Sequence, residues 1–144
     1  MSKTILKYIP IMKKLLVLLF VCASISLMAQ NKELTTFYDN GTIKSKYVYE
    51  DSQTYIVSNY SALGNLIEVG HFENGKMDGS WTSYNEQGIK TAEAFYSNGV
   101  KTGDWKIFDE VGALRYLITY DSNKIVNAKN FDSAGNSVAE LHPH

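Results

Sequence analysis

Residues 84–112 read YNEQGIKTAEAFYSNGVKTGDWKIFDEVG, and residues 60–88 read YSALGNLIEVGHFENGKMDGSWTSYNEQG. Offset by 24, the two stretches agree at an aromatic (Tyr60, Tyr84), a glycine four residues on (Gly64, Gly88), a second aromatic (Phe72, Tyr96) and an Asn-Gly pair (Asn74-Gly75, Asn98-Gly99). They then agree at Gly79 and Gly103, at Trp81 and Trp105, and at the next aromatic, Tyr84 and Phe108. A fixed period of this length is the mark of a repeat architecture, in which one supersecondary unit stacks on the next.

Outward from this pair the register continues. Gly41, Gly64, Gly88, Gly112 and Gly135 are spaced by 23, 24, 24 and 23, each preceded by an aromatic: Phe37, Tyr60, Tyr84, Phe108 and Phe131. Tyr49, Phe72, Tyr96 and Tyr120 follow the first four glycines by eight residues. Ser122-Asn123 replaces Asn-Gly in the fourth unit, and Asp51-Ser52 replaces it in the first. Asn-Gly is the strongest short hairpin signal, because a type I′ turn needs positive φ at both central residues. Gly79 and Gly103 fall within strands, where glycine marks a bulge or a close approach.

Between turns, even positions after each glycine are mainly apolar or aromatic, and odd positions are mixed, which is the period of a strand with one better-buried face. The pattern predicts an all-β, elongated, single-layer antiparallel meander of about nine strands: 43–49, 54–60, 66–72, 77–84, 90–96, 101–108, 114–120, 125–131 and 136–141. Residues 30–36 and 142–144 are expected to be loose, with the repeat domain over 37–141.

The N-terminal stretch differs in kind. Residues 1–30 hold Lys3, Lys7, Lys13 and Lys14 and no acid, and Leu15–Leu27 carries no charge before Met28-Ala29-Gln30. A basic start, a short apolar run and a small residue at its end form a secretory signal peptide, here a signal helix over 1–29 cleaved after Ala29, with Met12 as an alternative start. The run is shorter than the roughly 20 residues of a membrane-spanning helix. The reading therefore expects export to the periplasm or beyond, with no stable membrane span after cleavage.

The 144-residue chain has 14 Lys+Arg and 15 Asp+Glu, and its one Cys, Cys22, lies in the leader. Removing the leader takes away four basic residues and leaves ten against 15 acidic. That balance argues against a nucleic-acid partner, and the absence of thiols rules out a disulfide or a cysteine metal site. His71 occupies a place held by Val48, Phe95 and Thr119 in other units, and His142 and His144 have no neighbouring ligand in sequence, so no metal, cofactor or catalytic residue is expected. The acids Glu73, Asp78, Asp104, Asp109 and Glu110 fall at turns. The expected contact surface is instead an aromatic strip of Trp81, Tyr84, Tyr96, Trp105 and Phe108, since exposed aromatics anchor protein interfaces. An open meander also leaves two strand edges for self-association.

The pattern aromatic-x-x-x-Gly, aromatic-x-Asn-Gly, Gly-x-Trp-x-x-aromatic resembles the MORN repeat, and more closely its bacterial variant, across roughly 37–135 and most strongly in 60–112. The resemblance implies successive β-hairpins and a scaffold or a protein- or lipid-associating module, and it brings no catalytic residues. Some bacterial relatives are labelled antitoxins of toxin–antitoxin pairs, a cytoplasmic role at odds with an export signal. The expected function is a non-enzymatic protein-binding or scaffold module in the cell envelope, ahead of an antitoxin-like inhibitor, an envelope-glycan binder or an envelope hydrolase.

Overall fold

A computed structural model describes residues 32–141, and the leader reading of 1–29 and the 142–144 tail lie outside them. The described chain is all β. Eleven strands run in chain order: β1 Glu33–Phe37, β2 Ile43–Tyr49, β3 Thr54–Tyr60, β4 Leu66–Glu73, β5 Lys76–Tyr84, β6 Lys90–Ser97, β7 Val100–Lys101, β8 Gly103–Phe108, β9 Leu114–Asp121, β10 Lys124–Phe131 and β11 Ser137–Leu141. They form one open antiparallel sheet in sequence order, with β7 pairing β6 to the side of the path.

Two differences from the expected nine strands have physical causes. Residues 33–36, expected to be loose, pair with β2, Leu34 opposite Tyr47 and Thr36 opposite Ser45. Thr35, Thr36 and Phe37 favour extended backbone, and the segment completes the first unit even though Leu34 stands where later units carry Trp. The predicted strand 101–108 is broken between β7 and β8, where Gly103 takes φ +64 and the Thr102 amide reaches back to the Phe95 carbonyl. Gly79, one period earlier, takes φ +69 beside a register shift in the β4–β5 ladder. Both are bulges, as the glycines predicted.

Asn74-Gly75 (φ 52 and 73) and Asn98-Gly99 (φ 52 and 82) make the expected hairpin turns. Ser122 and Asn123 keep the same geometry at φ 51 and 69, so the fourth unit has lost the glycine without losing the turn. A residue with a side chain in the left-handed region costs about 1 kcal/mol or more.

Nine of the ten glycines have positive φ. The tenth, Gly70, is required for another reason. It pairs with Trp81 across β4–β5, and a β-carbon there would lie 2.1 Å from the indole. The ring lies directly on the glycine backbone and donates from Nε1 to the His71 carbonyl at 3.2 Å. Trp81 and Val57, 6% and 3% exposed, are the buried hydrophobic residues among those described. A single layer has almost no interior, and this pair is its densest point.

Gly70→Ala should therefore lower stability by about 3 kcal/mol, the upper end of the usual cost of overpacking, read as a shift in the denaturant midpoint. Replacing Ser122-Asn123 by Asn-Gly should raise stability by about 1 kcal/mol in the same assay.

Candidate functional site

One sheet face carries a continuous row of rings. Tyr47 meets Tyr55 at 5.9 Å between centroids, and Tyr49 meets Tyr55 at 5.2 Å. The row continues through Phe72 at 5.0 Å, Trp81 at 5.3 Å and Tyr96 at 6.3 Å, then Trp105 at 5.2 Å and Tyr120 at 5.0 Å. Most contacts are tilted or edge-on, the geometry favoured by ring quadrupoles. Strand alternation puts these side chains on one face, and the hairpin period lines them up across strands.

The expected strip is divided by the structure. Trp81, Tyr96 and Trp105 lie within the row. Tyr84 and Phe108 lie at strand ends, half-buried beside the Asn85–Gly88 and Asp109–Gly112 turns. Trp81 is buried against Gly70, so it supports the face from within rather than presenting itself to a partner. Trp105 makes the matching bond, Nε1 to the Phe95 carbonyl at 3.1 Å. It pairs with Ile118 across β8–β9, and it is half-buried where Trp81 is buried. The Lys101 ammonium sits 4.6 Å from the Trp105 ring and 5.2 Å from that of Tyr120, a pair of cation–π contacts. Burial pushes the Tyr55 and Tyr96 phenols above their ordinary values, aided by nearby Tyr49 and Glu68 respectively.

Beside the rings the same face turns polar. The buried Ser45 hydroxyl donates to Asn59 at 2.8 Å, and the Asn59 amide donates to Glu68 at 3.0 Å. This satisfies Glu68, which breaks the apolar pattern in sequence. An open cleft of about 440 Å³ lies there, lined by Tyr38, Lys44, Asn59, Tyr60 and Glu68 among others. The opposite face is salted: Glu93 joins Lys90 and Lys106. Hydrogen bonds from Lys90 and Lys106 hold the Glu93 carboxyl below its usual range.

The turn acids have structural work. Asp109 Oδ1 accepts the Val111 and Ala113 amides at 3.1 and 2.8 Å, and its other oxygen pairs with Arg115. Asp132 accepts the Ala134 and Asn136 amides, both at 2.9 Å. Asn85 does the same for Gln87 and Ile89 at 3.1 and 2.9 Å, and the Ser61 hydroxyl for Leu63 and Asn65 at 3.3 and 3.4 Å. A short acceptor directly after the repeated aromatic ties each of these turns. The sequence reading missed this position, although Ser61, Asn85, Asp109 and Asp132 recur one residue after Tyr60, Tyr84, Phe108 and Phe131. Glu86 links neighbouring turns through Ser61 at 3.0 Å and Asn65 at 2.9 Å. Among the described residues no cluster of three or more His, Cys, Asp or Glu side chains is placed to hold a metal, and His71 contributes its carbonyl rather than its ring.

Residues 30–51 match the MORN repeat variant family. The first unit of the sheet thus matches a MORN repeat variant. The match falls on the first unit, which lacks the tryptophan and the Asn-Gly turn, and the hairpins built on the same glycine and aromatic register run on to β11. No curated protein matches the sequence. Two solved structures of TarM are similar at a TM-score of 0.45. One is 15% identical, and the other, an S. aureus TarM mutant in complex with Fondaparinux, alpha-GlcNAc-glycerol and UDP, is 14% identical. Each match covers 75% of this chain and 23% of the TarM chain.

The turn acids set a pH response. Backbone amide bonds, first from Ala113 to Asp109 and from Asn136 to Asp132, hold both carboxyls below their ordinary value. Depressed folded values mean that their stabilisation is present above the unfolded value near pH 4 and is lost as pH falls through the folded value. Thermal melts should drop below about pH 4. Asp109→Asn with Asp132→Asn, which keeps an acceptor like that of Asn85, should flatten that drop, and an unchanged slope would contradict the assignment.

Proposed function

We propose that this protein is a non-enzymatic module, exported by its N-terminal segment, that holds a protein partner in the cell envelope on the ring-bearing face of its sheet. The observation that carries the reading is the continuous aromatic row on a one-layer sheet. Eight rings lie on one face, and Tyr55, Phe72, Tyr96, Trp105 and Tyr120 stay half-exposed. Tyrosine and tryptophan combine a large apolar area with a polar tip and little side-chain entropy to lose, which makes them preferred anchors of protein interfaces.

The surrounding chemistry supports binding over catalysis. Asp109 and Asp132 are engaged by backbone amides, and Glu93 is held between two lysines. A general acid or base needs a free carboxyl with a shifted affinity for protons at a substrate. The export reading rests on the basic and apolar order of residues 1–29. The mature chain is acidic, which favours a partner presenting basic or neutral surface around an apolar centre.

Trp105 is the residue to test, because it is accessible where Trp81 is buried. Trp105→Ala should leave the far-ultraviolet spectrum of the sheet intact and weaken capture of the envelope partner by about 30-fold, as removal of an interface hot spot does. Photo-crosslinking in intact cells from position 105 should trap that partner, and position 106 on the opposite face should not. A folded Trp105→Ala protein with undiminished capture would exclude this face as the binding surface.

A further inference from the structure

The two edges of the sheet are of opposite kinds. Strands that follow a repeated glycine (β2, β4, β6, β9 and β11) alternate across the sheet with strands that precede one (β1, β3, β5, β8 and β10). The sheet begins with a preceding strand, β1, and ends with a following strand, β11. Inside the sheet four contacts join a following strand to the next preceding strand, β2–β3, β4–β5, β6–β8 and β9–β10, and the other neighbouring pairs turn at a repeated glycine. The geometry points to head-to-tail association of this chain, in which β11 of one copy pairs antiparallel with β1 of the next and supplies the hairpin contact that each end lacks.

The period fixes the register. Inside the sheet Ser45 faces Asn59 and Tyr47 faces Val57. One unit later Glu68 faces Ser83 and Gly70 faces Trp81. Further on, Ala92 faces Ile107, Tyr116 faces Asn130 and Ile118 faces Ala128. By the same count Ala139 would face Thr36 of the next copy, Glu140 would face Thr35, and Leu141 would stand opposite Leu34. Leu34 holds the place of Trp81 and Trp105 in the central row, so the row would run on from one copy into the next.

Both edges have the residues for it. Leu34 and Phe37 on β1 are 48% and 60% exposed, and Val138 on β11 is 57% exposed. In this register Val138 lies beside Phe37, and no like charges stand directly opposite across Thr35, Thr36, Ala139 and Glu140. β1 pairs only with β2, and β11 only with β10, among the described residues. The outer side of an edge strand is a template for any strand that fits. Each edge strand has five residues, against seven to nine for the long strands between them such as β2, β4 and β5. The contact is therefore short, and assembly would respond to concentration. Because the two edges differ, the contact is heterologous, and each added copy leaves a new free edge.

The mature sequence has no cysteine, so engineered thiols report the contact cleanly. The full chain is expressed with its own leader and Cys22→Ser, as two separate variants, Thr36→Cys and Ala139→Cys. Mixed under mild oxidation, they should form a disulfide-linked pair containing one of each. Neither alone should dimerise. Light scattering of the unmodified protein should show mass rising with concentration in steps of one copy. Phe37→Lys with Val138→Lys, two exposed positions whose change leaves the fold intact by circular dichroism, should hold it at one copy. Self-linked Thr36→Cys or Ala139→Cys dimers without the mixed pair would overturn the proposal in favour of a symmetric contact. A single-copy mass at every concentration with no mixed pair would overturn it outright.

Discussion

Trp81 lying on the bare backbone of Gly70 is the contact on which the rest of the sheet depends. A single layer offers no second sheet or helix to pack against, and an isolated hairpin is marginal in water. Side chains must find their burial along the face instead, between neighbouring strands. The indole does this because the glycine beneath it lacks the β-carbon that would lie 2.1 Å from the ring and push it off the backbone. Its N–H is satisfied at the His71 carbonyl, so burying a polar ring incurs no unpaired donor. Phe72 and Tyr96 close on its two sides, and from there the row reaches Tyr47 at one end and Tyr120 at the other.

The same arrangement gives the ring face both buried and accessible members. The row is most closed at Trp81, over Gly70, and more open at Trp105. Trp81 is buried in the sheet, whereas Trp105 keeps part of its surface open to solvent. The turns hold the hairpins in phase from outside the row. Acceptors at Ser61, Asn85, Asp109 and Asp132 tie their own loops, and Glu86 ties one loop to the next. The opposite face, with Glu93 between Lys90 and Lys106, keeps the layer solvated. Of the acids that looked available for chemistry in sequence, Asp78 and Asp109 accept backbone amides and Asp104 accepts the Thr119 hydroxyl.

Much of this was legible before any coordinates. The need for positive φ is local, so Asn74-Gly75, Asn98-Gly99 and the five spaced glycines disclosed the turns directly, and Gly79 and Gly103 disclosed the bulges. Strand alternation placed the ring face. What the sequence hid were matters of contact. Gly70 carries no positive φ and breaks no pattern except by lacking a side chain, so its role appears only when Trp81 is seen above it. The first strand escaped notice because its unit lacks the tryptophan and holds Leu34 there. The aromatic strip was drawn from repeat letters, which do not distinguish Tyr84 and Phe108 at strand ends from Tyr55 and Tyr120 within the row.

Amide hydrogen exchange across the sheet tests the central claim most directly. If stability radiates from the Trp81–Gly70 contact, the slowest amides lie in Leu66–Glu73 and Lys76–Tyr84, and protection declines stepwise toward Glu33–Phe37 and Ser137–Leu141. Protection that is uniform along the sheet, or greatest in the end strands, would contradict it.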